Sequence, residues 1–234
     1  MLTPKKRLSK REMKQDPLLT TLGQLETFYE VNKKYISYGL TGLLIVAVAV
    51  FMFINNRRAN NEKATAEFGK VFKLFDAAVS DPKQYALAIN GQPERGIMGL
   101  KAIAENYGGT ESGELARFYL ANAYFNLGQY DEAFKQYDKF SGGDKALRAS
   151  ALAGVGACYE TKKEYGKAGS NFENAASLTS NPGNAPEYLN EAAKCYGMAG
   201  EKEKAIALLK RIKKEYPTST FAREADRYIT QFST

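Results

Sequence analysis

The stretch GELARFYLANAYFNLGQYDEAFKQYDKF, residues 113–140, decides the fold. Its apolar residues recur three and four apart on either side of Gly128, a spacing that predicts two helices joined by a tight turn. Two later stretches align on it, ASALAGVGACYETKKEYGKAGSNFENAA at 149–176 and PEYLNEAAKCYGMAGEKEKAIALLKRIKKEYP at 186–217. Tyr124, Tyr159 and Tyr196 share one register, and Ala133, Ala168 and Ala205 a second. Tyr137, Phe172 and Leu209 share a third, and the small residues Ala121, Gly156 and Ala193 a fourth. The successive spacings are 35 and 37 residues, the longer one absorbing TSNPGNAP. A fixed period of this size signals a stack of supersecondary units rather than one closed core.

The pattern resembles the tetratricopeptide repeat, a unit of about 34 residues built from paired antiparallel helices. The small register lets the first helix of a unit approach the second, and the large residues fill the spaces between units. Gly128 and Gly200 suit the turn, and Pro217 stands where the repeat's consensus proline ends the second helix. The consensus tryptophan is absent: Leu152 and Leu189 take its place in the second and third units and Arg117 in the first, while Lys163 replaces the turn glycine of the second. Upstream, GIMGLKAIAENYGGT has the apolar spacing of AIALLKRIKKEYPTS, so it reads as the second helix of a degenerate leading unit whose first helix is EKATAEFGKVFKLFDAAVS. Between them DPKQYALAINGQPERG reads as a long turn-rich connection, and TFAREADRYITQF as the terminal helix that closes such arrays.

Ahead of the repeats lies KKYISYGLTGLLIVAVAVFMFINNRR, residues 33–58. From Ile36 to Ile54 no residue is charged. At about 1.5 Å per residue these 19 residues cover roughly 28 Å, close to the hydrocarbon thickness of a bilayer. A cleaved export signal would have a shorter apolar core and an adjacent small-residue site. The A-x-A pattern at Ala64-Thr65-Ala66 lies ten residues too far on, so the segment reads as a permanent transmembrane anchor. The basic residues before it place the N-terminus in the cytoplasm by the positive-inside rule, with the repeat domain on the far side. DPLLTTLGQLETFYEVNKKY carries Leu18, Leu22, Leu25 and Tyr29 on one stripe and reads as an amphipathic interfacial helix that breaks before the span.

The expected organisation is therefore a basic disordered tail at 1–16, an interfacial helix at 17–35 and a transmembrane helix at 36–54. A membrane-proximal helix and loop follow at 55–94, and a repeat domain at 95–234. The fold class is all-α: one N-terminal transmembrane helix, then a helix-hairpin solenoid with a C-terminal capping helix.

Composition narrows the function. The sequence has no histidine, which removes the commonest general base and metal ligand, and it shows no paired-carboxylate motif. No catalytic, cofactor-binding or metal-ligating residue is assigned, no small-molecule substrate is expected, and the chain is read as not an enzyme. Lys and Arg exceed Asp and Glu by 33 to 26, but residues 1–35 hold eight bases against four acids, leaving 25 against 22 elsewhere. That balance gives no basic face for nucleic acid. Cys158 and Cys195 each precede a repeat tyrosine and read as small buried apolar residues rather than a disulfide.

Repeat arrays of this kind bind proteins on the concave side lined by the first helices. On the alignment, the inward positions are Phe118, Asn122, Phe125 and Asn126 in the first unit, Glu160 with Ala153, Ala157 and Thr161 in the second, and Asn190, Lys194 and Met198 in the third. An alternative packs Phe118 and Phe125 against the leading helix at Phe68, Phe72 and Phe75. Some repeat proteins hold a C-terminal carboxylate with lysine and asparagine; Asn122 fits, but Phe118 stands where the lysine belongs, so that activity is not expected. The order of amphipathic segment, span and repeats resembles the YfgM-type ancillary subunits of the bacterial Sec translocon. The resemblance implies a single-pass inner-membrane protein with a periplasmic repeat domain. Its partners would be the translocon, periplasmic folding factors or exported clients, and its role chaperone-like. The alternative is a structural or accessory subunit of another inner-membrane complex, for envelope assembly or energy conversion.

Overall fold

Helix formation follows the sequence with few interruptions, because between the short turns almost every segment keeps an apolar residue every third or fourth position. The structure, a computed structural model, describes residues 17–179 and 181–233. The basic tail expected at 1–16 lies outside the described residues. The chain divides into two compact units, with the boundary between Asn56 and Arg57.

The first helix, α1, runs Pro17–Ala77 and contributes to both units. In the N-terminal unit, every residue from 37 to 56 is exposed, including Leu43, Leu44, Ile45, Phe51 and Phe53. Three polar side chains in this part bond to the backbone of the helix itself. The Thr27 hydroxyl donates to the Gly23 carbonyl at 2.8 Å, the Thr41 hydroxyl to Ser37 at 2.9 Å and the Asn32 amide to Phe28 at 2.9 Å. The break expected between the amphipathic stretch and the span does not occur. Two of the polar residues before the span keep to the helix, Asn32 through that backbone bond and Lys33 through an ion pair with Glu30 at 3.0 Å. Leu25 and Tyr29 of the expected stripe are exposed.

In the second unit the end of α1 buries Ala64 and Val71, and Ala78, in the turn just after the helix, continues the seven-residue spacing, with Phe68 and Phe75 beside them. Helices α2 (Lys83–Asn90), α3 (Leu100–Asn106) and α4 (Glu111–Asn126) complete that first core with Tyr85, Ile89, Leu100, Ile103 and Leu120. The expected loop at 81–96 is thus largely structured. Tyr85, Ala88 and Ile89 give α2 a buried face, and strands β1 (Gly91–Gln92) and β2 (Ile97–Met98) form a small antiparallel hairpin. Gly91 (φ +80°) and Gly99 permit this closure, since a Cβ on either would come within 2.4 Å of the other's backbone segment.

A second core joins α4, α5 (Tyr130–Asp138) and α6 (Lys145–Thr161) around Ala121, Ala133, Tyr137, Val155 and Cys158. A third joins α7 (Tyr165–Leu178), α8 (Ala185–Met198), α9 (Lys202–Glu215) and α10 (Thr220–Ser233) around Phe172, Leu189, Tyr196, Leu209 and Ile212. The three turns between paired helices are alike. Gly128, Lys163 and Gly200 all have left-handed φ, at +73°, +60° and +82°. In each turn the next residue's N–H returns to the repeat tyrosine's carbonyl: Gln129 to Tyr124, Glu164 to Tyr159 and Glu201 to Tyr196. The replacement at Lys163 therefore changes the residue and not the turn. The closing helix α10 buries Ala222 and Ala225, and the Phe232 ring sits where a Cβ on Gly197 would be, within 2.3 Å.

Candidate interaction face

The first helices of the three units, α4, α6 and α8, carry every candidate partner-binding residue, and the structure divides these residues into two groups. In the first unit the side chains are spent largely on packing. Phe118 meets Tyr119, Phe140 and Tyr137 at centroid distances of 5.7, 5.9 and 6.1 Å, and Phe125 meets Tyr130 at 5.1 Å. Both rings are half-buried and border the second core. Asn122 accepts a hydrogen bond from the Tyr137 hydroxyl, which ties α4 to α5. Asn126 is exposed, with its amide donated to the Asn122 carbonyl at 2.8 Å.

The alternative packing partner is corrected as well. Phe68, Phe72 and Phe75 of α1 do not meet Phe118 or Phe125 but surround Tyr119, at 5.5, 5.2 and 4.9 Å. One helical position, about 100°, separates Phe118 from Tyr119, so adjacent aromatics serve opposite neighbours.

In the second and third units the polar candidates converge. Lys194 donates to both carboxylate oxygens of Glu191, at 3.0 and 2.8 Å. Asn190 donates from Nδ2 to Glu191 Oε1 at 3.3 Å. Glu160, on α6, is half-buried and close enough to feel both Glu191 and Lys194. Burial, and then the like charge of Glu191, raise its carboxyl above the ordinary carboxylate range against the opposing pull of Lys194. Lys194 is shifted too: burial lowers its ammonium, but the Glu191 hydrogen bond and charge outweigh this and raise it. Asn190 departs from expectation, being 3 % exposed rather than open on the face, because α8 sinks that turn into the third core beside Leu189. Met198 is 49 % exposed. Glu191 was missed by the sequence reading, since it sits one position off the i, i+4, i+8 row of Asn190, Lys194 and Met198; the i, i+3 pairing with Lys194 was the available signal.

A second polar feature lies at the start of the repeats. Glu114 is 5 % exposed and accepts from the backbone N–H of Ser141 at 2.8 Å and of Gly109 at 3.2 Å, and from Arg117 Nε at 3.4 Å. Burial alone would raise its carboxyl, but these donors and the Arg117 charge together hold it below the usual range. Arg117, standing in place of the consensus tryptophan, also donates to the Ala104 carbonyl at 2.9 Å and to Gln136 at 3.3 Å. It bonds across the interior where an indole would pack. A cleft of about 570 Å³ opens beside this network, lined among others by Arg57, Thr110, Glu111, Phe140 and Asp144.

Cys158 and Cys195 are buried, and burial pushes their thiols up to about 11 and about 12, so both stay protonated and unreactive at neutral pH. Among the described residues no group of three or more His, Cys, Asp or Glu is placed to hold a metal ion.

The family model described as the tetratricopeptide repeat matches residues 115–141 and 191–219. These segments cover most of the first and third units. No curated protein matches the chain. With the helix-hairpin geometry, the match supports a repeat solenoid of the kind that binds other proteins.

Proposed function

We propose that the protein is a membrane-anchored interaction scaffold whose repeat domain binds other proteins on the face formed by α4, α6 and α8. One observation carries the reading. The helix α1 presents an uncharged, exposed and largely apolar surface from residue 37 to Ile54 and then, beyond Arg57, supplies Ala64 and Val71 to the first core of the repeats. A stretch with this much uncovered apolar surface suits lipid, and in lipid a helix must satisfy its own backbone, which α1 does. The protein partners then meet a repeat domain tied to the bilayer by one span.

The bases around Lys33 and Lys34 favour an N-terminus in the cytoplasm of a bacterium and a periplasmic repeat domain. Within that setting the reading is an ancillary subunit of the Sec translocon that assists exported proteins in a chaperone-like way. It requires no bond-making chemistry and no cofactor. Crosslinking followed by affinity purification in mild detergent tests it: translocon subunits should be recovered together with substoichiometric exported chains. Recovery of a different, stoichiometric membrane complex would replace the translocon with that complex as the scaffold's home.

A further inference from the structure

The cleft of about 570 Å³ beside Glu114 lies wholly within the repeat unit, and its lining is of three kinds. Leu115, Phe140 and Leu147 give apolar walls, Arg57 one cation, and Glu111 and Asp144 two acids. Glu114, a third acid on the wall, is already answered by Arg117 and by the backbone N–H groups of Gly109 and Ser141. It brings no open charge. The Arg57 guanidinium donates from one Nη to the Gly109 carbonyl, which fixes the group at the cleft. Among the described residues its other N–H groups have no acceptor. Asp144 caps α6 with one oxygen, accepting from the Leu147 N–H at 2.8 Å, and the exposed Glu111 carboxylate meets no donor among the described residues. The place of the cation on the chain matters as much as its chemistry. Arg57 follows Ile54, the end of the uncharged run, by three residues of the same helix, about 4.5 Å of rise. The polar layer of a bilayer extends roughly 5–8 Å beyond the hydrocarbon on each side, so Arg57 stands at the level of the headgroups.

We propose that this cleft seats the headgroup of an aminophospholipid, with its phosphate on Arg57 and its primary ammonium on Glu111 and Asp144. A guanidinium matches phosphate oxygens with two parallel N–H donors, and the Gly109 bond leaves Arg57 enough of them. A primary ammonium has three N–H donors for the two carboxylates, and the apolar walls cover the short carbon linker between the two charges. A choline headgroup carries the same charges but no N–H donor. A glycerol headgroup carries the phosphate without a cation and so turns negative charge toward both acids. The proposal rests on reading α1 as a membrane span and names the lipid chemistry met where that helix enters the repeats.

The test uses the full chain in mild detergent with dioleoyl phosphatidylethanolamine, phosphatidylcholine or phosphatidylglycerol, three lipids with the same acyl chains. Native mass spectrometry reads the bound fraction as each lipid is titrated. The ethanolamine lipid should bind about tenfold more tightly than either of the others. Glu111→Gln combined with Asp144→Asn should bring it down to the level of the choline lipid. Asparagine caps a helix as well as aspartate does, so an unchanged melting temperature separates lost selection from lost folding. Arg57→Gln should weaken all three lipids, whereas Arg58→Gln, outside the cleft, should leave the tenfold preference intact. Equal binding of the three lipids, or a preference that survives the double substitution, would overturn the seat. Tightest binding of the glycerol lipid would also overturn it, by reducing the site to a phosphate contact on arginine. Any of these results in a chain that stays with carbonate-washed membranes leaves the span standing; release of the chain by that wash would overturn the span itself.

Discussion

Glu114 and Arg117 form a buried ionic knot in a unit whose counterparts use leucine at the equivalent of Arg117. Removing one member of such a pair leaves the other charged and unpaired away from water. We expect Glu114→Ala to lower stability by about 3–5 kcal/mol, read as a shift of the denaturant midpoint. The pH dependence has a definite sign. The folded carboxyl lies below its unfolded value of about 4.3, so its contribution is full above that pH and is lost as pH falls through the folded value. Melting temperatures between neutral pH and about pH 3 should fall less steeply in Glu114→Gln than in the unsubstituted chain. Arg117 was visible in the sequence as a misfit in the tryptophan register. Its partners were not, because Ala104 and Gln136 come from neighbouring segments whose approach depends on the whole stack. The same limit applies to Asn122, which reads as an exposed amide until Tyr137 is seen to donate to it.

At the scale of the element, the three turns show packing overriding local preference. A lysine in the left-handed region carries a steric cost of about 1–2 kcal/mol that glycine avoids, offset in part by glycine's greater backbone entropy. Lys163→Gly should therefore raise stability by about 0.5–1 kcal/mol, measured by denaturant titration, with the α6–α7 turn unchanged. The paired helices of the three units were legible because small and large residues recur at a nearly constant period. The hairpin of β1 and β2 was not, since each strand has only two residues and its closure depends on Gly91 facing Gly99. Nor were the glycines that receive aromatic rings. A Cβ on Gly154 would lie 2.5 Å from the Tyr137 ring, and one on Gly169 would lie 3.0 Å from that of Tyr196, contacts between helices that periodicity alone does not pair.

For the whole molecule, the sequence made the all-α architecture and the apolar run legible, because both are properties of composition over long windows. The side-chain environment of the candidate face was only half legible: of the eight residues that the alignment turned inward, Phe118, Asn122, Phe125 and Asn190 are committed to packing or buried. If α1 is the anchor, washing membranes with alkaline carbonate should leave the protein in the pellet, and quantitative release into the supernatant would exclude a span. Replacing Val46 and Val48 by arginine in one chain should shift it to the soluble fraction, because each charge near the middle of a span costs about 2.5–3.5 kcal/mol on insertion.

The repeats are held by three cores in series instead of one. Each core is built from helices that follow one another in the chain, and α2 and α10 belong to different cores. Loosening can then begin at an end and stop part-way, as beads slip from a string while the middle stays threaded. Amide exchange should climb in steps along the chain, fastest in α10, the last helix, which is held from one side by Ala222, Ala225 and Phe232. A scaffold built this way could loosen its outer end for an incoming chain while the inner repeats stay folded.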